Sequence, residues 1–541
     1  MTISLANRFQ TYVAHQLPRV LTQLDRDPDS PTFGCFDRHY WHYKIRDFPS
    51  TILQQGIFTL EAIRQGWVAL PSTETIDQWC VGAVNALARQ VDRQGRVDEY
   101  YPFEAGYPPA AFGLYAAGRV LLDWQQHAPH LLPQVHQAPL RRLAHHLAQR
   151  VEQGATNQQA AGLAGLALAA RAGLLPHQAE RIAALATQMF QAQHPEGWFN
   201  EYGGPDFGYL TVTLDALVDY YDATGDDRAI AASDRAIHFL AQLVGSDGRL
   251  PSTLNSRNTD YVVPYGLVRA AQRNPTAAWL VATLFRDLDG PTHFLWSTDD
   301  RYLCHYIFAS IVRSLPYLET LRSAQPPDLP KTTWLAGCGY WIFRPPQATW
   351  TAFVAARKGG LVRIHRQTEP PVLDHGWRIV KNGDIWTTNW WSADWQIQYD
   401  GDRLHLSGQC QQTQFHTPSP WKNGVLRLLA WGLRQRLIPL LKQVMIFRSG
   451  QQTGPLYERT LTIDERGMHL HDRFAPHPGA RAIASPRQNL RHVASADSFH
   501  REELRAPLND PGTALALDTA QVIHTQWPPA DQPPTEGMRI E

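Results

Sequence analysis

The chain has 541 residues, of which 43% are hydrophobic, so two or three packed domains are expected and wholesale disorder is excluded. Fifty basic and fifty acidic side chains cancel to a formal net charge of zero, which gives a nucleic-acid or membrane partner no bulk electrostatic support. The five scattered cysteines form no CxxC pair and exclude a disulfide framework or a cysteine zinc site, and no run is apolar enough to span a bilayer.

The first 25 residues read as an amphipathic helix, because Phe9, Val13, Leu17, Val20, Leu21 and Leu24 recur at helical spacing. They lack a basic stretch followed by an apolar core, so no signal peptide is evident and a cytoplasmic protein is expected. Residues 36–48 crowd polar and aromatic side chains together, His42 and Arg46 among them. His39 and His42 have a spacing that permits metal ligation, but no third ligand accompanies them, so neither a metal nor a cofactor is expected.

From there to about residue 325 the pattern is helical throughout. Amphipathic helices are expected at 76–90, 140–151, 179–193 and 230–244. Between them lie helices rich in Ala, Gly and Leu, clearest at 160–172, whose small residues all round imply burial on every side. Six such inner helices are expected, near 48–65, 105–122, 160–172, 206–221, 260–271 and 303–318, inside an outer ring of amphipathic ones. A recurring phrase precedes three of them. Gln94-Gly95-Arg96 runs into Glu99 and Glu104, Glu196-Gly197-Trp198 into Glu201, Tyr202, Asp206 and Tyr209, and Asp247-Gly248-Arg249 into Arg257, Asn258, Asp260 and Tyr261. The spacing is near 50 residues or twice that, the mark of stacked helical hairpins whose polar loops open on one rim.

A proline-rich linker at 324–330 introduces a change of pattern. Strands are expected at 349–356, 361–365, 377–381, 385–391, 396–399, 404–408, 458–463 and 468–474, with turns such as Lys381-Asn382-Gly383 between them. No helices alternate with these strands, so the sheet should be antiparallel. Helical patterns at 424–434 and 437–444 suggest an insertion near 420–445 lying across a sheet face. The pattern weakens beyond about Pro476, and residues 528–535 read as mobile.

Thr156-Asn157-Gln158, the small-residue helix after it, and His194 to Glu201 followed by Tyr209 form the most specific stretch. On these residues the chain resembles the heparinase II/III and alginate-lyase group of polysaccharide lyases, over nearly its full length. The resemblance implies an N-terminal (α/α) toroid of about six helical hairpins over residues 1–325 and an antiparallel β-sandwich domain over 326–541. It implies β-elimination on a uronic-acid polysaccharide, with Tyr209 at the position of the catalytic tyrosine and Asn157 at that of the catalytic asparagine. Gln158 stands where the group often has histidine. Ile364-His365-Arg366 and Leu373-Asp374-His375 match the group's sheet-borne histidine phrase loosely.

Elimination must strip a weakly acidic proton next to a carboxylate, so the site needs donors that neutralise the carboxylate, a base, and an acid for the leaving oxygen. Asn157 and Gln158 offer neutral donors, shared with Arg257 and Asn258. Tyr209 suits base and acid in turn, and His305, His365 and His375 are candidates for a second proton-transfer group. His42, Arg46, Glu104, Glu201, Tyr202, Asp206, Arg257, Asn258, Tyr261 and His305 are the expected sugar-binding residues. Asn157 also reads as a helix cap and Tyr209 as a wall residue. Three rival readings remain on the same scaffold: an inverting glycoside hydrolase using two of Glu99, Glu104, Glu201, Asp206 and Asp260, a uronate epimerase, and a non-catalytic binder of acidic polysaccharide. The 18 tryptophans fit either sugar stacking or packing. The sequence sets no oligomeric state.

Overall fold

A computed structural model describes residues 4–70, 72–322, 324–346, 349–413, 417, 419–441, 452–486, 504–528 and 538–540. The first helix, Leu5–Leu21, starts at Ser4, whose hydroxyl accepts the Asn7 N–H. Its Phe9, Val13, Leu17 and Val20 are buried, as the spacing predicts, with Leu24 buried beyond its end; Leu21 is half-buried, and the buried Tyr12 joins them. Phe9 meets Phe285 and the helix packs on Phe308–Ser314, so the amino terminus is joined to the end of the helical part.

The buried helices are Ile57–Arg64, Tyr107–His127, Thr156–Arg171, Phe207–Thr224, Tyr265–Ala270 and Phe308–Ser314. Each lies against the next, and Phe308–Ser314 returns to Ile57–Arg64. Small residues permit this. A Cβ on Gly165 would come within 2.9 Å of the Tyr115 backbone nitrogen, so any side chain there would push two helices apart. A charged knot fixes the buried helices to one another. The fully buried Asp219 pairs with Arg313 and Arg119 and accepts the hydroxyls of Tyr115 and Tyr265. Removing one partner of such a knot costs about 3–5 kcal/mol, because it leaves an uncompensated buried charge. The helices Ile76–Gln90, Gln137–Ala148, Ala179–Gln191, Arg228–Gln242 and Pro275–Leu284 intervene in sequence.

The recurring glycine has a structural cause. Gly95 and Gly197 adopt φ of +80° and +103°, and a Cβ on either would lie 2.2 Å from a carbonyl oxygen of the next amphipathic helix, Arg142 O of Gln137–Ala148 or Arg235 O of Arg228–Gln242. The turns that open the first two of these loops are thus wedged under the next amphipathic helix.

Antiparallel sheets follow the helical part. One is a meander of Thr332–Leu335, Tyr340–Phe343, Trp350–Ala355, Leu361–Arg366 and Val372–Asp374. The sequence pattern does not mark the first two of these strands. The other runs Leu515–Ala516, Arg481–Ala484, Trp377–Lys381, Asp384–Thr387, Arg403–Thr413, Gln452–Asp464, Gly467–Phe474, Gln521–Trp527 and Met538–Ile540, with Gln396–Tyr399 paired to Arg403–Thr413. Trp341, Val354 and Ile364 of the first sheet share an apolar core with Ile379, Leu406, Leu461 and Leu470 of the second. Arg459 links the sheets from within this core, gripping Asp374 and Asp472.

The expected strand at 385–391 ends at Thr387, because Trp391 leaves the sheet to donate its indole N–H to Gly203 O at 2.9 Å. The insertion helix Pro420–Leu433 buries only Ala430, and its ion pair is to Asp47 of the helical part rather than to a sheet. Residues 442–444 and 529–535, read as helix end and mobile tail, lie outside the described residues.

Candidate active site

Three loops between hairpins build the site, and each is anchored by a buried carboxyl group. In the first, Glu104 accepts the backbone N–H of Glu99 at 2.5 Å and of Tyr100 at 3.0 Å. Burial, reinforced by Glu99, pushes the Glu104 carboxyl up to about 8. In the second, Glu201 receives both the backbone N–H and the side-chain amide of Asn157, each at 2.7 Å. Burial drives Glu201 well above the carboxylate range while the two Asn157 donors oppose it. Asp206 caps the Phe207–Thr224 helix by accepting the Tyr209 N–H at 3.1 Å and reaches across to the Thr259 N–H at 3.3 Å. Its carboxyl is raised by burial to about 6. The third loop is stitched to the second by Ser256 Oγ donating to Glu201 O at 2.8 Å. In each loop a residue other than glycine holds a left-handed backbone: Phe103 at +66°, Tyr202 at +57° and Asn258 at +58°. Backbone strain of this kind costs of order 1–3 kcal/mol per residue and persists where the surroundings over-determine it.

Glu104, Glu201 and Asp206, expected to meet sugar, are therefore committed to loop backbone and to Asn157. The amide of Asn157 is likewise engaged, while Gln158 donates to the Tyr202 hydroxyl at 3.1 Å. What these anchors present is a cationic, phenol-rich arc. Arg257 is completely buried and its guanidinium lies 4.4 Å from the centre of the Tyr202 ring. Burial lowers its pKa, and the phenols of Tyr202 and Tyr209, then Asp206 and Glu201, favour its charge. The Tyr209 ring stands edge-on to Tyr261, at 6.2 Å, and the Tyr261 and Tyr306 hydroxyls are hydrogen-bonded.

Beyond Tyr306 the arc continues to His305, which sits in a π-helical turn, Leu303–Ile307. Such turns recur at functional sites. His305 is buried against Phe112, and among the described residues neither of its ring nitrogens has a hydrogen-bond partner. Burial, then Arg301, pulls its pKa well down, so the neutral ring prevails. Arg301 lies over the Tyr100 ring, and Arg46 donates to Glu99 O at 2.5 Å. Arg46 and Glu104 therefore sit at this far end of the arc.

The first sheet caps the loops. Lys358 Nζ donates to Asn255 O at 2.8 Å and to Asn258 Oδ1. Lys358 and Tyr306 were not singled out in the sequence. Neither follows the repeat, although Tyr306 adjoins His305. The sheet histidines go elsewhere: His365 Nδ1 is 2.6 Å from Asp247 Oδ1, and His375 lines a separate cavity with Arg366, Leu373 and Arg505. His42 is exposed, stacked edge-on between Trp41 and Tyr43. Among the described residues no three His, Cys, Asp or Glu side chains are grouped to hold a metal ion, and no helix is long and apolar enough to cross a membrane.

No family model matches the chain, and no curated protein matches it. Among solved structures it is similar to the chondroitin AC lyase of Streptomyces coelicolor A3 in complex with chondroitin sulphate, at 12% identity over 89% of this chain and 67% of that one, with a TM-score of 0.48. It is also similar to heparinase III, at 9% identity over 95% of this chain and 82% of that one, TM-score 0.44. A third likeness is to a β-L-arabinofuranosidase from Geobacillus stearothermophilus T6, at 11% identity over 96% and 95%, TM-score 0.34.

Proposed function

We propose that the chain is a polysaccharide lyase that cleaves uronic-acid-containing sugars by β-elimination, with Tyr209 as the proton-transfer group. The observation that carries this reading is the buried Arg257 guanidinium, which lies over the Tyr202 ring and whose charge the Tyr209 phenol favours. A cation beside a phenol favours the phenolate, which is the base that elimination needs. Tyr209 takes the proton from C5, the C4–O bond breaks as the C4–C5 double bond forms, and the same hydroxyl returns the proton to the departing oxygen. Arg257, with Gln158 and Asn258, supplies positive and amide character opposite the uronate carboxylate, so that charge developing on it is stabilised. His305, uncharged, joins the arc as a further sugar contact. Asn157 acts through Glu201 as a positioning residue.

This reading includes the finer architecture expected from the sequence: an (α/α) toroid over residues 1–325 and a β-sandwich over 326–541, with acidic polysaccharide bound where they meet. The rival hydrolase needs two carboxyl groups with a water between them. Glu104, Glu201 and Asp206 instead spend their oxygens on backbone donors, which favours the lyase. A panel of uronic-acid oligosaccharides followed by ultraviolet absorbance tests the proposal, since only elimination creates an unsaturated sugar. A panel left wholly unchanged would count against it.

A further inference from the structure

The segment joining Arg403–Thr413 to Gln452–Asp464 plays no part in this chemistry, yet it is compositionally unlike the rest of the chain. From Arg403 to Tyr457 the sequence contains no aspartate or glutamate, while Lys422, Arg427, Arg434 and Arg436 are all basic. In a chain of zero net charge this is a local excess of positive charge.

Its first helix, Pro420–Leu433, is turned inside out. Ala430 is buried, with Leu426 and Leu433 half-buried on the same side. Trp421, Val425, Leu428, Leu429 and Trp431 face outward, exposed by 69%, 46%, 72%, 45% and 62%. At helical spacing Trp421, Val425 and Leu428 form one line, Leu429 and Trp431 widen it on either side, and Lys422 and Arg427 border it. A helix at a soluble surface turns its apolar stripe to the core, and this one presents it to the outside. Arg427 also pairs with Asp47 at 2.8 Å, which brings the helix beside the segment holding Tyr43 and Ile45, themselves exposed.

Charge and composition decide what covers this face. Fourteen residues of helix reach about 21 Å, too short to span a bilayer. Tryptophan and leucine bordered by cations, with no acid among them, is the composition of a helix lying in a membrane interface. A second copy of the chain would set the unbalanced cations against themselves. An acidic glycan would satisfy the cations but not Val425, Leu428 and Leu429. We infer that Pro420–Leu433 is a monotopic membrane-surface helix that seats the protein on an anionic phospholipid surface. This goes beyond the reading of the Tyr209 arc and does not depend on it.

The test is co-sedimentation of the full-length protein with vesicles of phosphatidylcholine alone, or containing about three parts in ten phosphatidylglycerol. Binding is expected on the phosphatidylglycerol vesicles and should weaken as salt is raised. Replacing Leu428→Ser and Trp431→Ser together should lower partitioning by about a hundredfold. Lys422→Gln with Arg436→Gln should lower it by roughly tenfold on anionic vesicles only. All four side chains are exposed or border the exposed face, so circular dichroism and the thermal transition of the variants should match the parent. Failure of the parent to sediment with either vesicle overturns the inference, as does equal binding by the Leu428→Ser, Trp431→Ser variant. A dimer that this variant converts to monomer, without vesicle binding by the parent, would assign the face to a second copy. Retention on heparin without vesicle binding would assign it to a glycan.

Discussion

Asn157 and Glu201 close on each other as a two-point clamp, with the backbone N–H and the side-chain amide of Asn157 each 2.7 Å from a different carboxylate oxygen. The clamp joins the start of the Thr156–Arg171 helix to the second loop, which in turn supplies Tyr202 and leads into Tyr209. Asn157→Ala would leave a fully buried carboxyl group short of a donor. It should destabilise the fold by about 1–3 kcal/mol, seen as a lower thermal transition, and any loss of turnover should come with that destabilisation.

Tyr209→Phe removes a hydroxyl and little packing. Turnover should fall by roughly 10²–10⁴-fold, with the thermal transition almost unmoved. A variant that keeps parental activity would remove Tyr209 from the chemistry.

Arg257→Lys keeps a charge but loses the planar group stacked on Tyr202. If the guanidinium holds a phenolate, its replacement makes the base harder to form. The acidic limb of the kcat/KM against pH profile should then move to higher pH. An unmoved limb with lower activity would assign Arg257 to sugar binding alone.

Glu104 carries a pH signature of its own. Its carboxyl is raised by burial to about 8 in the folded chain, above its value when unfolded. The native state therefore binds the proton more tightly, so its contribution to stability is complete at low pH and is lost as pH rises through about 8. Glu104→Gln should flatten the decline in thermal stability between about pH 5 and pH 9. The same slope in parent and variant would place the titrating group elsewhere.

Gly197→Ala tests the wedge under the Arg228–Gln242 helix. Its φ of +103° and a Cβ only 2.2 Å from Arg235 O leave no room for a methyl group. The variant should lose at least about 2 kcal/mol, measured by denaturant unfolding.

The helical part was legible because burial leaves a periodic trace: Ile76–Gln90 was read to the residue, and the repeated glycine marked turns that share one geometry. The sheets were less legible. Short strands such as Thr332–Leu335 lack a long alternation, and Trp391 resembles a strand residue because it is buried, although by Gly203, Gly204 and Tyr340 rather than by strand pairing. At the site, sequence pattern shows which residue types share a loop but not which oxygen accepts which donor. Glu104, Glu201 and Asp206 look like ligands until their backbone partners are seen. Lys358 left no trace in the sequence, since its contacts to Asn255 and Asn258 arise only when a sheet lies over the third loop.

Product mass tests the central claim most directly. Fed a cleavable uronic-acid oligosaccharide, the parent protein should give fragments whose masses sum to that of the substrate, one of them unsaturated, and Tyr209→Phe should give almost none. Fragments that together carry the mass of one added water, from parent and Tyr209→Phe alike, would contradict the account.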